Sequence, residues 1–203
     1  MESRSGERCR RFDAQGIEQD LVCSVTNLRS PRKILVIGSG GAGKSTFARR
    51  LSEILGIRVV HLDALYWKPG WVEPSKADWA ETVRDVLKRD AWIMDGNYSG
   101  TLDERINACD AVIFLDLPRT TCLWRVFRRR AMYRNATRPD MAEGCREQLS
   151  LEFFAWIWNY PKRSRPKVVK LLGEERTKEM AIRLRTPAEI DRFLDDAAQG
   201  EFN

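Results

Sequence analysis

Short apolar runs and helical stripes take turns along the chain. Five runs, 34–37, 58–62, 91–95, 111–116 and 180–184, are rich in Val, Ile, Leu and aromatic residues. Continuous apolar runs of this length describe strands buried on both faces, the habit of parallel sheets. Between them the apolar spacing changes to three and four. Phe47, Leu51, Ile54 and Leu55 stripe one helix, with Gly56 where it should stop. Trp79, Val83, Val86 and Leu87 stripe another, opened by Ser75-Lys76-Ala77-Asp78, a capping-box variant. Leu123, Val126 and Phe127 face inward on a third. A long stripe follows through Met141, Cys145, Leu149, Phe153, Trp156 and Ile157; Tyr160-Pro161 is expected to interrupt it before Val168, Val169, Leu171 and Leu172. Thr186-Pro187-Ala188-Glu189 then supplies cap, N1 proline and N3 glutamate for a closing helix through Ile190, Phe193, Leu194 and Ala197. The alternation predicts an α/β protein, a five-stranded parallel sheet with helices on both faces. The order of strands is not contained in the pattern.

The first run leads into Gly38-Ser39-Gly40-Gly41-Ala42-Gly43-Lys44-Ser45-Thr46, which fits G-x-x-x-x-G-K-[ST]. Average usage supplies the four fixed positions in roughly 1% of chains of this length; here the strand before and the helix after complete the phosphate-loop context. Glycines let successive N–H groups turn inward on phosphate oxygens, and the helix N-terminus adds its positive end. Lys44 is expected to reach the β- and γ-phosphates and the Ser45 hydroxyl to ligate Mg²⁺.

Carboxylates close three of the other runs: Asp63, Asp95 and Asp116. That edge of an open α/β sheet is where ligands bind. Asp63 reads either as a functional carboxylate or as a cap or turn residue. Asp95 and Asp116 compete for the acidic position behind a magnesium ion. Tyr66, Trp67 and Trp71 occupy a Pro/Gly loop after Asp63, where they either cover the core or wall a pocket for a flat or apolar group.

The chain has 203 residues, 32% charged and 43% apolar, consistent with one soluble domain. No apolar run suits a membrane span, and the first thirty residues contain no signal-like apolar core. Five cysteines without metal-ligand spacing and a single histidine argue against a zinc site or disulfide framework; the cytoplasm is the expected compartment. The net charge of +6 is local: residues 117–139 hold seven arginines and no acid. Arg125 and Arg129 share a helix face, a repulsive arrangement unless an anion lies between them. Residues 1–31 read as a polar extension, 32–198 as the folded domain and 199–203 as a tail.

These blocks together resemble the small P-loop kinases related to adenylate kinase, and among them the bacterial group labelled DNA topology modulation proteins, FlaR-like. The resemblance covers about residues 32–196. It rests on the phosphate loop, His61–Trp71, Trp92–Tyr98, Leu115-Asp116-Leu117-Pro118 with its arginines, and Phe153–Pro161. It implies a P-loop NTP hydrolase fold of the nucleotide-kinase-like type with a helical lid at about 131–165. It also implies ATP and Mg²⁺, held by Gly38, Gly40, Gly41, Ala42, Gly43, Lys44, Ser45 and Thr46. Asp95 is favoured over Asp116 beside the metal, Arg125 and Arg129 fall at the lid-hinge positions, and Arg185-Thr186 correspond to the loop facing adenine. Asn97-Tyr98-Ser99 stand where adenylate kinases carry the arginine that grips an acceptor phosphate. Together with Asp63 as a general base, this tilts toward a hydroxyl acceptor bounded by Asp63, Trp67, Trp71, Asn97 and Tyr98.

The expected function is thus ATP- and Mg²⁺-dependent phosphotransfer to a nucleoside, nucleotide or other hydroxyl metabolite, with Lys44, Asp63, Arg125 and Arg129 as the catalytic set. The enzyme is expected as a monomer or homodimer without a membrane partner. The competing expectation is a nucleic-acid-associated ATP-binding protein using the arginines on a phosphate backbone, although no nucleic-acid-reading motif is visible. A bare NTPase switch is the third.

Overall fold

The computed structural model describes residues 10–12, 18–20, 31–132 and 150–201. Within the N-terminal extension, β1 (Arg10–Phe12) and β2 (Glu18–Asp20) pair antiparallel, Arg10 opposite Asp20. The central unit begins with β3 (Lys33–Gly38) and α1 (Lys44–Leu55), followed by β4 (Val59–His61), α2 (Leu62–Tyr66) and α3 (Lys76–Leu87). Next come β5 (Trp92–Asp95), a 3₁₀ turn at Ser99–Thr101, α4 (Leu102–Ala108), β6 (Ala111–Leu115) and α5 (Arg119–Met132). The described chain resumes with α6 (Leu151–Arg163), α7 (Arg165–Leu172), α8 (Glu175–Lys178), β7 (Ala181–Leu184) and α9 (Pro187–Ala198). Among the described residues no helix is long and apolar enough to cross a membrane.

Five strands form one parallel sheet in the order β4-β5-β3-β6-β7. The expected sheet is therefore present, with the phosphate-loop strand at its centre. Alternate residues feed two cores. Ile34, Val36, Ile93, Ile113 and Leu115 pack with Phe47, Leu51, Val126, Ile157 and Phe193. Leu35, Ile37, Met94, Val112 and Phe114 pack with Val83, Val86, Ile106 and Leu172 on the other face. Burial on both sides explains why the strands read as unbroken apolar runs rather than alternating ones.

Two helix starts follow the caps read from the sequence. Ser75 Oγ accepts from Asp78 N (3.1 Å) and Thr186 Oγ1 from Glu189 N (3.1 Å). The structure corrects the expected break at Tyr160-Pro161: α6 runs through Pro161 and ends at Ser164. A proline one turn from a helix end forfeits a single hydrogen bond, and Ser164 N still donates to Tyr160 O (3.0 Å). The one-turn α2 and the short α4 are additions that the apolar stripes did not announce. Met141, Cys145, Leu149 and the lid segment 133–149 lie outside the described residues, as does most of 1–31.

Candidate active site

Parallel pairing brings the C-terminal ends of β3, β4 and β5 to one edge, and the site is assembled there. The phosphate loop leaves β3 at Gly38 (φ +148°), so close to β6 that a Cβ would lie 2.5 Å from Leu115 O. Gly41 (φ +77°) passes α5 in the left-handed region, and a Cβ there would meet the Cys122 carbonyl. Glycine is required at both positions by backbone sign and by space.

Lys44 Nζ folds back to donate to Gly38 O (3.1 Å) and Ser39 O (3.0 Å). Burial pushes its ammonium pKa below the ordinary lysine value, while Asp63 and Asp95 act in the opposite direction. From α5, Arg125 Nη1 donates to Ala42 O (2.9 Å). Arg128 and Arg129 line the same cleft, a cavity of about 1160 Å³. The arginine run expected as a clamp thus places three of its members in this cleft, one of them on the phosphate loop. Phe153 and Trp156 of α6, stacked at 6.0 Å and 9°, cover the loop, and a Cβ on Gly40 would lie 2.7 Å from the Phe153 ring.

Asp95 lies beneath the cleft floor, 4% exposed. The β4–β5 register sets it opposite His61, whose Nδ1 is 2.7 Å from Asp95 Oδ1. Asp116, the rival carboxylate, is engaged elsewhere: Arg165 Nε donates to its Oδ1 (2.9 Å) and Arg183 Nε to its Oδ2 (2.8 Å). These pairs join α7 and β7 to the end of β6, so Asp116 serves the fold. Ser45 lines the cleft. The Ser45 hydroxyl and Asp95 carboxylate are hard oxygen donors suited to magnesium. Among the described residues no group of three or more His, Cys, Asp and Glu side chains could form a metal cage. Such a donor set fits an ion that retains waters and shares phosphate oxygens rather than one caged by protein alone.

The opposite end of the cleft is made by the chain after β4 and after β5. Asp63 sits in the first turn of α2, two residues past the end of β4, and its Oδ1 accepts from the Tyr98 hydroxyl (2.8 Å). Burial first, then Asp63, pushes the Tyr98 pKa far up, so this phenol stays a donor. Asn97 lines the cleft, and its Oδ1 accepts from Gly38 N (3.1 Å), tying the β5 loop to the phosphate loop.

Tyr66, Trp67 and Trp71 line the cleft with Tyr98, and Tyr66 also packs against the core that holds Trp79, 7% exposed. They meet in a chain of edge and tilted contacts: Trp79–Tyr66 (4.9 Å), Tyr66–Tyr98 (4.6 Å), Tyr66–Trp67 (5.0 Å) and Trp67–Trp71 (5.2 Å). Of the loop expected to face adenine, Pro187 reaches the cleft. Thr186 caps α9, and Arg185 borders a separate cavity of about 250 Å³ beside Asp116.

Two organising residues escaped the sequence reading. Arg105 on α4 is fully buried and is the hub of the β5 loop. Its guanidinium donates to Gly96 O (2.9 Å), Asn97 O, Tyr98 O (2.9 Å) and Thr101 O (3.3 Å). Burial lowers its pKa to about 10. It holds Tyr98 in a left-handed conformation (φ 25°) that a tyrosine seldom adopts unaided. The signal was an arginine inside the apolar Leu102/Ile106 stripe. His61, the only histidine, is the second; nothing but strand register could have paired it with Asp95.

No protein-family model and no curated protein matches the chain. Solved structures do. A gluconokinase from Sinorhizobium meliloti 1021 aligns with a TM-score of 0.51 over 85% of this chain and 92% of its own, at 15% identity. A shikimate kinase from Acinetobacter baumannii in complex with shikimate aligns with a TM-score of 0.53 over 83% and 89%, at 18% identity. With the central phosphate loop and five-stranded parallel sheet, these likenesses define the P-loop NTPase fold.

Proposed function

We propose that the protein is an ATP- and Mg²⁺-dependent kinase that phosphorylates a hydroxyl group of a small molecule. One juxtaposition carries this reading. Lys44, Ser45 and Arg125 stand at the phosphate loop, and in the same cleft a carboxylate, Asp63, is oriented by Tyr98. Asp63 is near enough to act electrostatically on Lys44. The kinase fold of the solved neighbours and the blocks that resemble FlaR-like chains support the same choice.

In this reading the loop N–H groups and Lys44 bind the β- and γ-phosphates, and Arg125 with Arg129 offsets charge in the transition state. Ser45, with Asp95 behind it, would hold magnesium, which neutralises phosphate charge when bound. The acceptor oxygen bonds to the γ-phosphorus as the bond to the β–γ bridging oxygen breaks. The hydroxyl proton passes to Asp63, and ADP leaves. Residues 32–198 form the working unit, with α6, whose Phe153 and Trp156 cover the phosphate loop, as the described part of a lid that excludes water. Free Cys109 and Cys122 fit action in the reducing cytoplasm. The placement of Arg125, Arg128 and Arg129 in the cleft supports a polyphosphate clamp over a nucleic-acid face.

The test is ADP formation from ATP across a panel of hydroxyl acceptors, for the wild type and Lys44→Ala. An acceptor should accelerate ADP release, and the variant should lose that response while keeping its melting temperature. Steady hydrolysis that no acceptor accelerates would instead identify an NTPase switch.

A further inference from the structure

The acceptor end of the cleft differs in charge from the rest. Arg49, Arg50, Arg125, Arg128 and Arg129, like Lys44, reach the cleft from α1 and α5, outnumbering Glu152 of α6 and Asp191 of α9. The segments after β4 and β5 contribute Asp63, Glu73, Tyr66, Trp67, Trp71, Gly96, Asn97 and Tyr98, and no lysine or arginine among the described lining residues. An anionic acceptor would lie against two carboxylates, and Lys44, the cation that Asp63 acts on, is turned to the phosphate loop. A neutral or cationic one meets no such penalty, and a cation gains from carboxylates and aromatic faces together.

The aromatic geometry adds a second, independent observation. Trp67 and Trp71 meet at 66°, so the two indoles form a corner instead of stacking on each other. Trp71 holds a left-handed backbone (φ 64°) in the tight Lys68–Val72 loop, closed by Lys68 N to Val72 O (3.0 Å). A bulky residue in that region is strained, and such strain collects at ligand clamps. Its indole Nε1 is buried and has no hydrogen-bond partner among the described residues. The same residue lines the cleft, so an oxygen brought by a bound molecule is one partner that this N–H can take. Asp63, with Tyr98 on Oδ1, has Oδ2 left for a hydroxyl.

Resting on the kinase reading above, we infer that the acceptor is a hydroxyl compound without negative charge. It presents a π-face or a cationic group to Trp67 and Trp71 and an oxygen to the Trp71 indole N–H. Transfer follows the balance already given: oxygen to γ-phosphorus, proton to Asp63, ADP released.

The experiment uses the full chain with ATP and Mg²⁺ and three acceptor sets. These are neutral nucleosides (adenosine, cytidine, thymidine), cationic alcohols (choline, ethanolamine) and anions (shikimate, gluconate, AMP). At least one compound from the first two sets should raise ADP formation tenfold or more over the acceptor-free rate, and no anion should. Glu73→Gln should weaken the KM of a cationic acceptor while leaving that of a neutral one, which separates the two sources. Glu73→Lys should admit AMP, a change that a merely structural role for Glu73 would not produce. Quenching of tryptophan fluorescence by the same compounds gives a readout independent of turnover, with Trp71→Phe removing the indole N–H while keeping an aromatic ring, and Trp67→Leu removing the aromatic face. Tenfold acceleration by any of the anions overturns the inference, and so does absence of quenching by every neutral and cationic compound. Quenching that Trp67→Leu abolishes, without phosphorylation, upholds the ligand class and overturns the kinase reading together with the transfer step that rests on it.

Discussion

At the proposed donor end, recognition comes mainly from backbone and from one continuous stretch of sequence. At the proposed acceptor end it comes from side chains on two separate loops, braced by residues that never reach the cleft. Gly38 to Thr46 carry their geometry locally, in glycine φ angles and a helix start. Asp63 and Tyr98 meet only because β4 and β5 are adjacent in the sheet and because Arg105 gathers the carbonyls of Gly96, Asn97 and Tyr98. The first end is generic to nucleotide phosphates, and the second is where specificity can change without disturbing the first.

The largest effect should separate the two ends most sharply. Lys44→Ala should lower phosphoryl transfer by about 10³-fold through lost charge stabilisation at the transferring group, in single-turnover assays at saturating acceptor. Asp63→Asn should lower kcat by about 10²-fold, the usual range for a lost general base, with ATP affinity by calorimetry almost unchanged. If Asp63→Asn chiefly weakens ATP binding, the carboxylate belongs to the metal shell and the division between the ends moves.

Arg105→Ala tests the brace. Leaving its buried carbonyl partners unsatisfied should cost about 3 kcal/mol or more, read as a fall in melting temperature of roughly 6–12 °C for a chain of this size. Arg105→Lys, which keeps a charge but not the fork, should recover only part of the stability and leave kcat low. Equal loss of ATP affinity in these variants would show that the loop braces both ends alike.

The smallest effect is a pH dependence at the donor end. Burial lowers the Lys44 pKa in the free protein; a bound polyphosphate raises it again by pairing with the ammonium. Binding therefore takes up a proton between the two values, and ATP affinity falls as pH rises through that window. The limit is about tenfold per pH unit. The same lowered pKa makes the free fold gain stability as pH rises from the folded value toward the unfolded value of 10.5. Both slopes should be absent in Lys44→Met; a slope that survives belongs to another group.

Much of this molecule was legible beforehand because the signals are local. Buried parallel strands need continuous apolar runs, so the five strands were visible near their true bounds. Ser75 and Thr186 announced their helices because a cap is a contact over three residues. Pro161 misled for the opposite reason. Its meaning depends on how much helix remains beyond it, which a proline does not encode.

The candidate site divides along the same line. Sequence by itself determined the phosphate loop, its lysine and serine, and a set of carboxylates at strand ends. Those features depend on spacings of a few residues, where chain geometry leaves little freedom. The tertiary structure alone decided that Asp116 is spent on Arg165 and Arg183 while Asp95 stays under the cleft with His61. It likewise decided that Asn97 secures Gly38 and that a buried Arg105 shapes the loop carrying Tyr98. Strand order decides which carboxylate meets which cation, and strand order follows from how two cores pack around β3 rather than from any spacing along the chain.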